Sequence, residues 1–124
     1  MPMRQFQHTV TPDDTAVKLG TGDLDVLATP RLILWCESAS FQVCQKSVDP
    51  DHTTVGTMVK FEHTKGSPVG TEVTIECAEP INDGRRLVCF VRVTDADGDE
   101  LGGGELHRAI VNADRFMTRC RKLS

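Results

Sequence analysis

One segment of this 124-residue chain reads as a long helix, and it is apolar on nearly every side. From Pro30 to about Lys46, apolar residues stand at Leu32, Ile33, Leu34, Trp35, Cys36, Ala39, Phe41, Val43 and Cys44. A helix of this kind does not lie on a surface; the rest of the chain has to wrap it. Thr29-Pro30 reads as its start, with Thr29 as N-cap and Pro30 in the first helical position. Asp49-Pro50-Asp51 ends it. In the middle of the apolar run stands a carboxylate, Glu37. A buried acid needs either a partner or a use.

What wraps the helix is strand after strand. Gln5 to Val10 alternates and predicts a first strand. Thr11 to Gly22 is rich in Thr, Asp and Gly and reads as loop. After the helix, Val55, Thr57, Val59, Phe61 and His63 share one face of an alternating run. Thr71 to Ala78 is the next strand, and Asn82-Asp83-Gly84 signals a tight hairpin turn. Leu87 to Thr94 follows, with Leu87, Cys89, Val91 and Val93 on one face. Asp97-Gly98 is another turn. Leu101 to about Val111 is a last strand, loosened by Gly102, Gly103 and Gly104. Asn112 to Lys122 reads as one helical turn plus coil. The order predicts an α+β chain in which a five-stranded antiparallel sheet wraps one long buried helix, the hot-dog arrangement. The length fits a single domain over residues 1–124.

Composition narrows the function. Net charge is −4 and the basic residues are scattered. Without a basic stripe interleaved with aromatics, nucleic acid is not an expected partner, although a few local Arg or Lys could hold a phosphate-bearing group. The five cysteines include no C-x-x-C pair. Four lie in apolar patterned segments and read as reduced core thiols, and their spacings match no zinc site, so no metal is expected. Met1 to Val10 is too polar for a signal peptide. The longest apolar run, Leu32 to Cys36, is too short to span a bilayer. The expectation is a soluble cytoplasmic protein. Asp97, Asp99 and Glu100 read as a solvated turn that falls short of a calcium loop. His8, His52 and His107 read as exposed or strand polar residues, with His107 also a candidate pocket residue. The glycine run lacks the strand-to-helix context of a phosphate loop, so it reads as a bulge or a close approach by substrate.

The chemistry-bearing residues are Thr29, Glu37 and His63. A hydroxyl, a carboxylate and an imidazole are the groups that activate an alcohol or a water for acyl transfer. His63 closes its strand and, with an ordinary pKa near 6.5, can accept and return a proton at neutral pH. Glu37 could orient that ring or act on water. Thr29 could be the nucleophile, or hold substrate or a water. Each residue also has a plain structural role open to it: Thr29 as cap, Glu37 paired with a buried base, His63 bonded to backbone, Gly56 in a turn or bulge. Thr29 and Glu37 are eight residues apart, about 12 Å along a continuous helix, so they do not meet through it. Either the first turn is irregular or the site joins groups from two subunits.

Several stretches resemble hot-dog thioesterases of the fluoroacetyl-CoA thioesterase type. They are Asp25-Val26-Leu27-Ala28-Thr29-Pro30, Trp35-Cys36-Glu37-Ser38-Ala39, Thr54-Val55-Gly56-Thr57 with His63, Thr64 through Gly70, Asp83 through Leu87, and Gly104 with Arg108. The resemblance implies a catalytic set of Thr29, Glu37 and His63. It implies a backbone donor at Gly56 for the thioester carbonyl and Arg108 beside the acyl pocket. It further implies an acyl-CoA substrate, with coenzyme A part of that substrate and no separate cofactor, and a homodimer with its site at the interface, further pairing into a tetramer being left open. Two departures stand out. The family writes Gly-Thr-His-Glu-Arg where this chain has Gly104-Glu105-Leu106-His107-Arg108. Its fluoroacetyl-specific enzyme has a gating Phe where this chain has Asp23, and no aromatic lies between Ala16 and Thr29. Selectivity for a fluorinated acyl group is therefore not carried over. The expected activity is hydrolysis of a small acyl-CoA thioester. A non-catalytic acyl-CoA binding module is the alternative, and a dehydratase or hydratase is less well matched.

Overall fold

A computed structural model describes residues 3–123. Strand β1 (Arg4–Thr9) is followed by a short helix α1 (Ala16–Leu19) and the long helix α2 (Thr29–Cys44). Strands β2 (His52–His63), β3 (Glu72–Cys77), β4 (Ile81–Asn82), β5 (Arg86–Asp95) and β6 (Glu100–Asn112) come next, and helix α3 (Ala113–Leu123) closes the chain. The strands run antiparallel in the order β1-β3-β5-β6-β2, with the two-residue β4 paired to β5. The predicted α+β arrangement is the one adopted, with one short strand more than expected.

The core forms where α2 meets the sheet. Leu32, Cys36, Ala39 and Val43 of α2 are buried in one cluster with Ile75, Leu87, Val93, Leu101 and Leu106 from the strands. Each fully buried Leu contributes about 2 kcal/mol relative to an exposed one. The other side of α2 is uncovered. Leu34 is 50% exposed and Phe41 40%, and the Glu37 side chain is 45% exposed rather than deeply buried. A single sheet covers only one side of a helix, so the all-round apolarity of α2 exceeds what one chain can bury.

Local departures from the expected pattern have identifiable causes. Ala28, not Thr29, flanks the helix start, because its carbonyl accepts the first helical bond from the Leu32 N–H while its own N–H donates to the Asp14 carbonyl. In β2, the pairing slips between Gly56 and Met58, leaving Thr57 out of register with β6. This bulge reverses the face of the first half of the strand, so Gly56 rather than Val55 shares a face with Val59, Phe61 and His63. The expected loop after β1 holds a turn of 3-10 helix (Pro12–Asp14) and α1, which Thr15 caps and left-handed Gly20 terminates. The terminal segment is longer in helix than expected, and the Asn112 side chain accepts the Arg115 N–H at its start. His8 is half-buried, its ring stacked on Trp35 at 4.3 Å. The glycine run lies close against neighbouring strands. A Cβ on Gly102 or Gly104 would strike the carbonyl of Glu62 or Lys60, and one on Gly103 would lie 3.0 Å from the Val91 carbonyl.

Gly104→Ala therefore lowers the free energy of unfolding by about 2 kcal/mol or more. Gly66→Ala, with open space around it, changes stability by less than about 1 kcal/mol. Urea unfolding curves of the two variants check the contrast.

Candidate active site

The start of α2 and the end of β2 meet. Because Ala28 occupies the flanking position, the Thr29 hydroxyl is not used as a cap, and Thr29 Oγ1 lies 2.8 Å from His63 Nδ1. Burial pushes the His63 pKa below its ordinary value; the nearby Lys65 backbone acts in the opposite sense without overcoming it. The ring is thus neutral at pH 7, the form that accepts a proton. Its Nε2 is buried without a hydrogen-bond partner among the described residues. The pair borders a cavity of about 340 Å³ lined by Ala16, Thr21, Val26 and Lys65, among others.

Lys65 was not singled out by sequence reasoning, yet it anchors this end of the site. Its Nζ lies 3.0 Å from Asp95 Oδ2 and 2.8 Å from Asp99 Oδ2. The other Asp95 oxygen accepts the N–H groups of Asp97 and Asp99. The Thr64 and Lys65 N–H groups both donate to the Leu101 carbonyl. The segment after His63 is therefore tied to the β5–β6 hairpin by backbone and charge together. Asp99, read from sequence as solvated, takes part in this clamp. The two aspartates hold the Lys65 pKa above its usual range, and Lys65 holds that of Asp95 below its own. Lys65 stands two residues beyond His63, but only the fold reveals its partners, 30 and 34 residues away.

A second group forms two turns further along α2. Glu37 sits against Gly56, where any Cβ would collide with its Oε2. A side chain at that position would exclude the carboxylate. Arg108 Nη1 lies 3.7 Å from the same oxygen. The Arg108 side chain is 7% exposed and is fixed elsewhere: Nε donates to Thr54 Oγ1 at 2.8 Å and Nη2 to the Thr54 carbonyl at 3.1 Å. The long, half-exposed ion pair to Glu37 is correspondingly weak. Arg108 acts mainly as a rigid positive wall behind the carboxylate.

Within one chain, Thr29 meets His63, and Glu37 meets Gly56 and Arg108. Glu37 does not join His63. Gly56 and His63 are seven residues apart on β2, about 20 Å of strand, and Thr29 and Glu37 are about 12 Å apart along α2. Among the described residues there is no cluster of three or more metal-ligating side chains, and no helix long and apolar enough to cross a membrane.

The burial of His8 and His63 has a measurable consequence. Both pKa values are lowered by burial, so NMR titration of the ring protons gives values below about 6.5 for each. The folded state favours the neutral rings. Their contribution to stability is full above about pH 6.5 and is lost as pH falls through the lower folded values. Urea midpoints of wild type and His63→Gln against pH check the sign, the variant losing part of the acid-side decline.

Comparison with known proteins identifies the family. Residues 10–114 match the family FlK, described as fluoroacetyl-CoA-specific thioesterase. The fluoroacetyl-CoA thioesterase of Streptantibioticus cattleyicolor is 30% identical over 99 residues, covering 79% of this chain and 70% of that protein. The solved structure of the fluoroacetyl-CoA thioesterase FlK has a TM-score of 0.88 at 25% identity, covering 99% of this chain and 95% of that one. A variant of FlK in complex with fluoroacetate and CoA has a TM-score of 0.86 at 25% identity, covering 98% of each chain. The chain belongs to the fluoroacetyl-CoA-specific thioesterase family, thioester hydrolases built on the hot-dog fold.

Proposed function

We propose that this protein hydrolyses a small acyl-CoA thioester in a site shared by two copies, with Thr29 and His63 from one and Glu37 and Gly56 from the other. The hydrogen bond of 2.8 Å between the Thr29 hydroxyl and a His63 ring held neutral by burial carries the proposal. A hydroxyl on a neutral imidazole is the pair that acyl transfer needs. In this role Nδ1 accepts the proton, and the oxygen that attacks is that of Thr29 or of a water it holds. Mass spectrometry of a quenched reaction separates the two, since only the first leaves the acyl group on Thr29. The Gly56 N–H, beside the bulge at Thr57, serves the developing oxyanion. Glu37 activates the hydrolytic water, and Arg108 keeps the carboxylate oriented. Carboxylate and free thiol leave, with no cofactor beyond the coenzyme A that the substrate brings.

Two features support a homodimer. β2 is an edge strand of 12 residues, with no partner on one side among the described residues, and an exposed edge of that length is a template for pairing with a second chain. Leu34, Glu37 and Phe41 form a half-exposed stripe on α2 that a second copy would bury. Pairing of two dimers into a tetramer is compatible with the same surface chemistry. An acyl-CoA substrate and four buried, unbridged thiols fit a cytoplasmic place of action.

His63→Ala and Glu37→Gln each lower kcat by about 100-fold or more while circular dichroism stays unchanged. Mixing the two inactive variants after joint refolding restores about a quarter of wild-type activity, because half of the random dimers carry one intact composite site. No recovery on mixing overturns the shared site. Full activity in both single variants, or tight acyl-CoA binding without thiol release by the wild type, overturns the enzymatic assignment.

A further inference from the structure

We infer that the cavity beside Thr29 and His63 selects an uncharged acyl group of about four to eight carbons over a two-carbon one, a preference that rests on the thioesterase reading above and specifies its acyl class. The space available is the first reason. The three heavy atoms of an acetyl group occupy the room of roughly three waters, about 90 Å³. The cavity holds about 340 Å³. The cleft is open, with Thr21, Thr29, Pro30 and Lys65 exposed around it, so water takes the space an acetyl group leaves, and a longer acyl chain gains by covering the apolar wall of Val26, Leu27 and Ala28.

The wall opposite the catalytic pair is the second reason. It is made by the segment from Thr15 to Ala28, whose small side chains at Ala16, Thr21 and Val26 face the cavity. Backbone hydrogen bonds strap this segment in place: the Ala16 N–H donates to the Val26 carbonyl at 2.8 Å and the Thr21 N–H to the Ala16 carbonyl at 2.9 Å. The Leu27 N–H donates to the Ser67 carbonyl at 2.8 Å, and the Ala28 N–H to the Asp14 carbonyl at 2.9 Å. A segment cross-linked within itself and held to Ser67 and Asp14 at its C-terminal end keeps its shape around a short acyl chain. With no aromatic between Ala16 and Thr29, nothing on it fills the gap.

Charge is the third reason. Of the residues that line the cavity, His63 and Lys65 carry ionisable side chains. The Lys65 ammonium is already shared by Asp95 and Asp99. A carboxylate at the far end of an acyl chain would find no uncommitted cation there, and would lose its hydration without compensation.

The test measures thiol release by the full chain from acetyl-, butyryl-, hexanoyl- and succinyl-CoA. Burying each methylene is worth about fourfold, so kcat/KM rises about tenfold or more from acetyl- to butyryl- or hexanoyl-CoA. Succinyl-CoA, matched to butyryl-CoA in carbon count, falls about tenfold or more below it. Thr21→Phe fills the cavity from an exposed position and lowers the hexanoyl-to-acetyl ratio of kcat/KM by about tenfold; Ala16→Leu, a smaller change, moves the ratio the same way. An acetyl ester hydrolysed as well as the longer ones overturns the inference and leaves the thioesterase assignment standing. So does a succinyl ester equal to the butyryl, or a ratio unmoved in both variants. Failure to hydrolyse any of the four overturns both.

Discussion

Everything at the site depends on α2 lying antiparallel along β2. That packing sets Thr29, at the first turn of the helix, against His63, at the last residue of the strand. Two turns later it sets Glu37 against Gly56. Neither contact is local in the chain. The approach at the second is close enough that only a residue without a side chain fits, so Gly56 is a steric requirement of the helix–strand packing as well as a candidate donor. The apolar stripe of Leu32, Cys36, Ala39 and Val43 supplies the free energy that holds helix to sheet. The two polar contacts are positioned by that hydrophobic seam and contribute little to it.

The helix, the succession of strands along the chain and the hairpin turns were legible because they rest on periodicity and turn chemistry; the order in the sheet, with β2 beside β6 and not beside β3, was not. Leu87, Cys89, Val91 and Val93 alternate without interruption and are all buried. A bulge was one of the roles open to Gly56, but the unbroken alternation of Val55, Thr57 and Val59 gave no sign that the face of the strand reverses there. The displaced helix start was missed for a different reason. Thr is the better cap by composition, but the Asp14 carbonyl, 14 residues upstream, takes the Ala28 N–H and shifts the boundary. Lys65 was missed because its role lies wholly in partners distant along the chain. Thr29, Glu37, His63, Gly56 and Arg108 were named from sequence. Their sorting into two groups, one at each end of the α2–β2 contact, needed coordinates.

The thiols illustrate how burial decides chemistry. Cys44 Sγ lies 3.4 Å from Cys89 Sγ inside the core, with Cys36 and Cys77 also buried. A hydrogen bond to Cys89 lowers Cys77. Burial pushes Cys36 up to about 12; Cys89, lowered by its hydrogen bond to Cys44 but raised more by the one to Cys77 and by burial, also stands at about 12. Thiols held protonated to that degree are neither nucleophiles nor metal ligands at neutral pH. They fill the space between helix and sheet as small apolar groups, which is what their placement in patterned segments suggested.

The opening turn of α2 carries a hidden weakness. The residue best suited to cap it, Thr29, has its oxygen turned toward His63, and Ala28 offers no side-chain acceptor. A capped helix of the same sequence would be more stable by about 1 kcal/mol. The turn that presents Thr29 to His63 is thus held by backbone and packing instead of a cap: the Ala28 N–H donates to the Asp14 carbonyl, and Leu27, Ala28 and Leu32 are buried. The Thr29–His63 contact therefore depends on Asp14, whose loosening would free this turn before the stretch packed through Cys36 and Ala39.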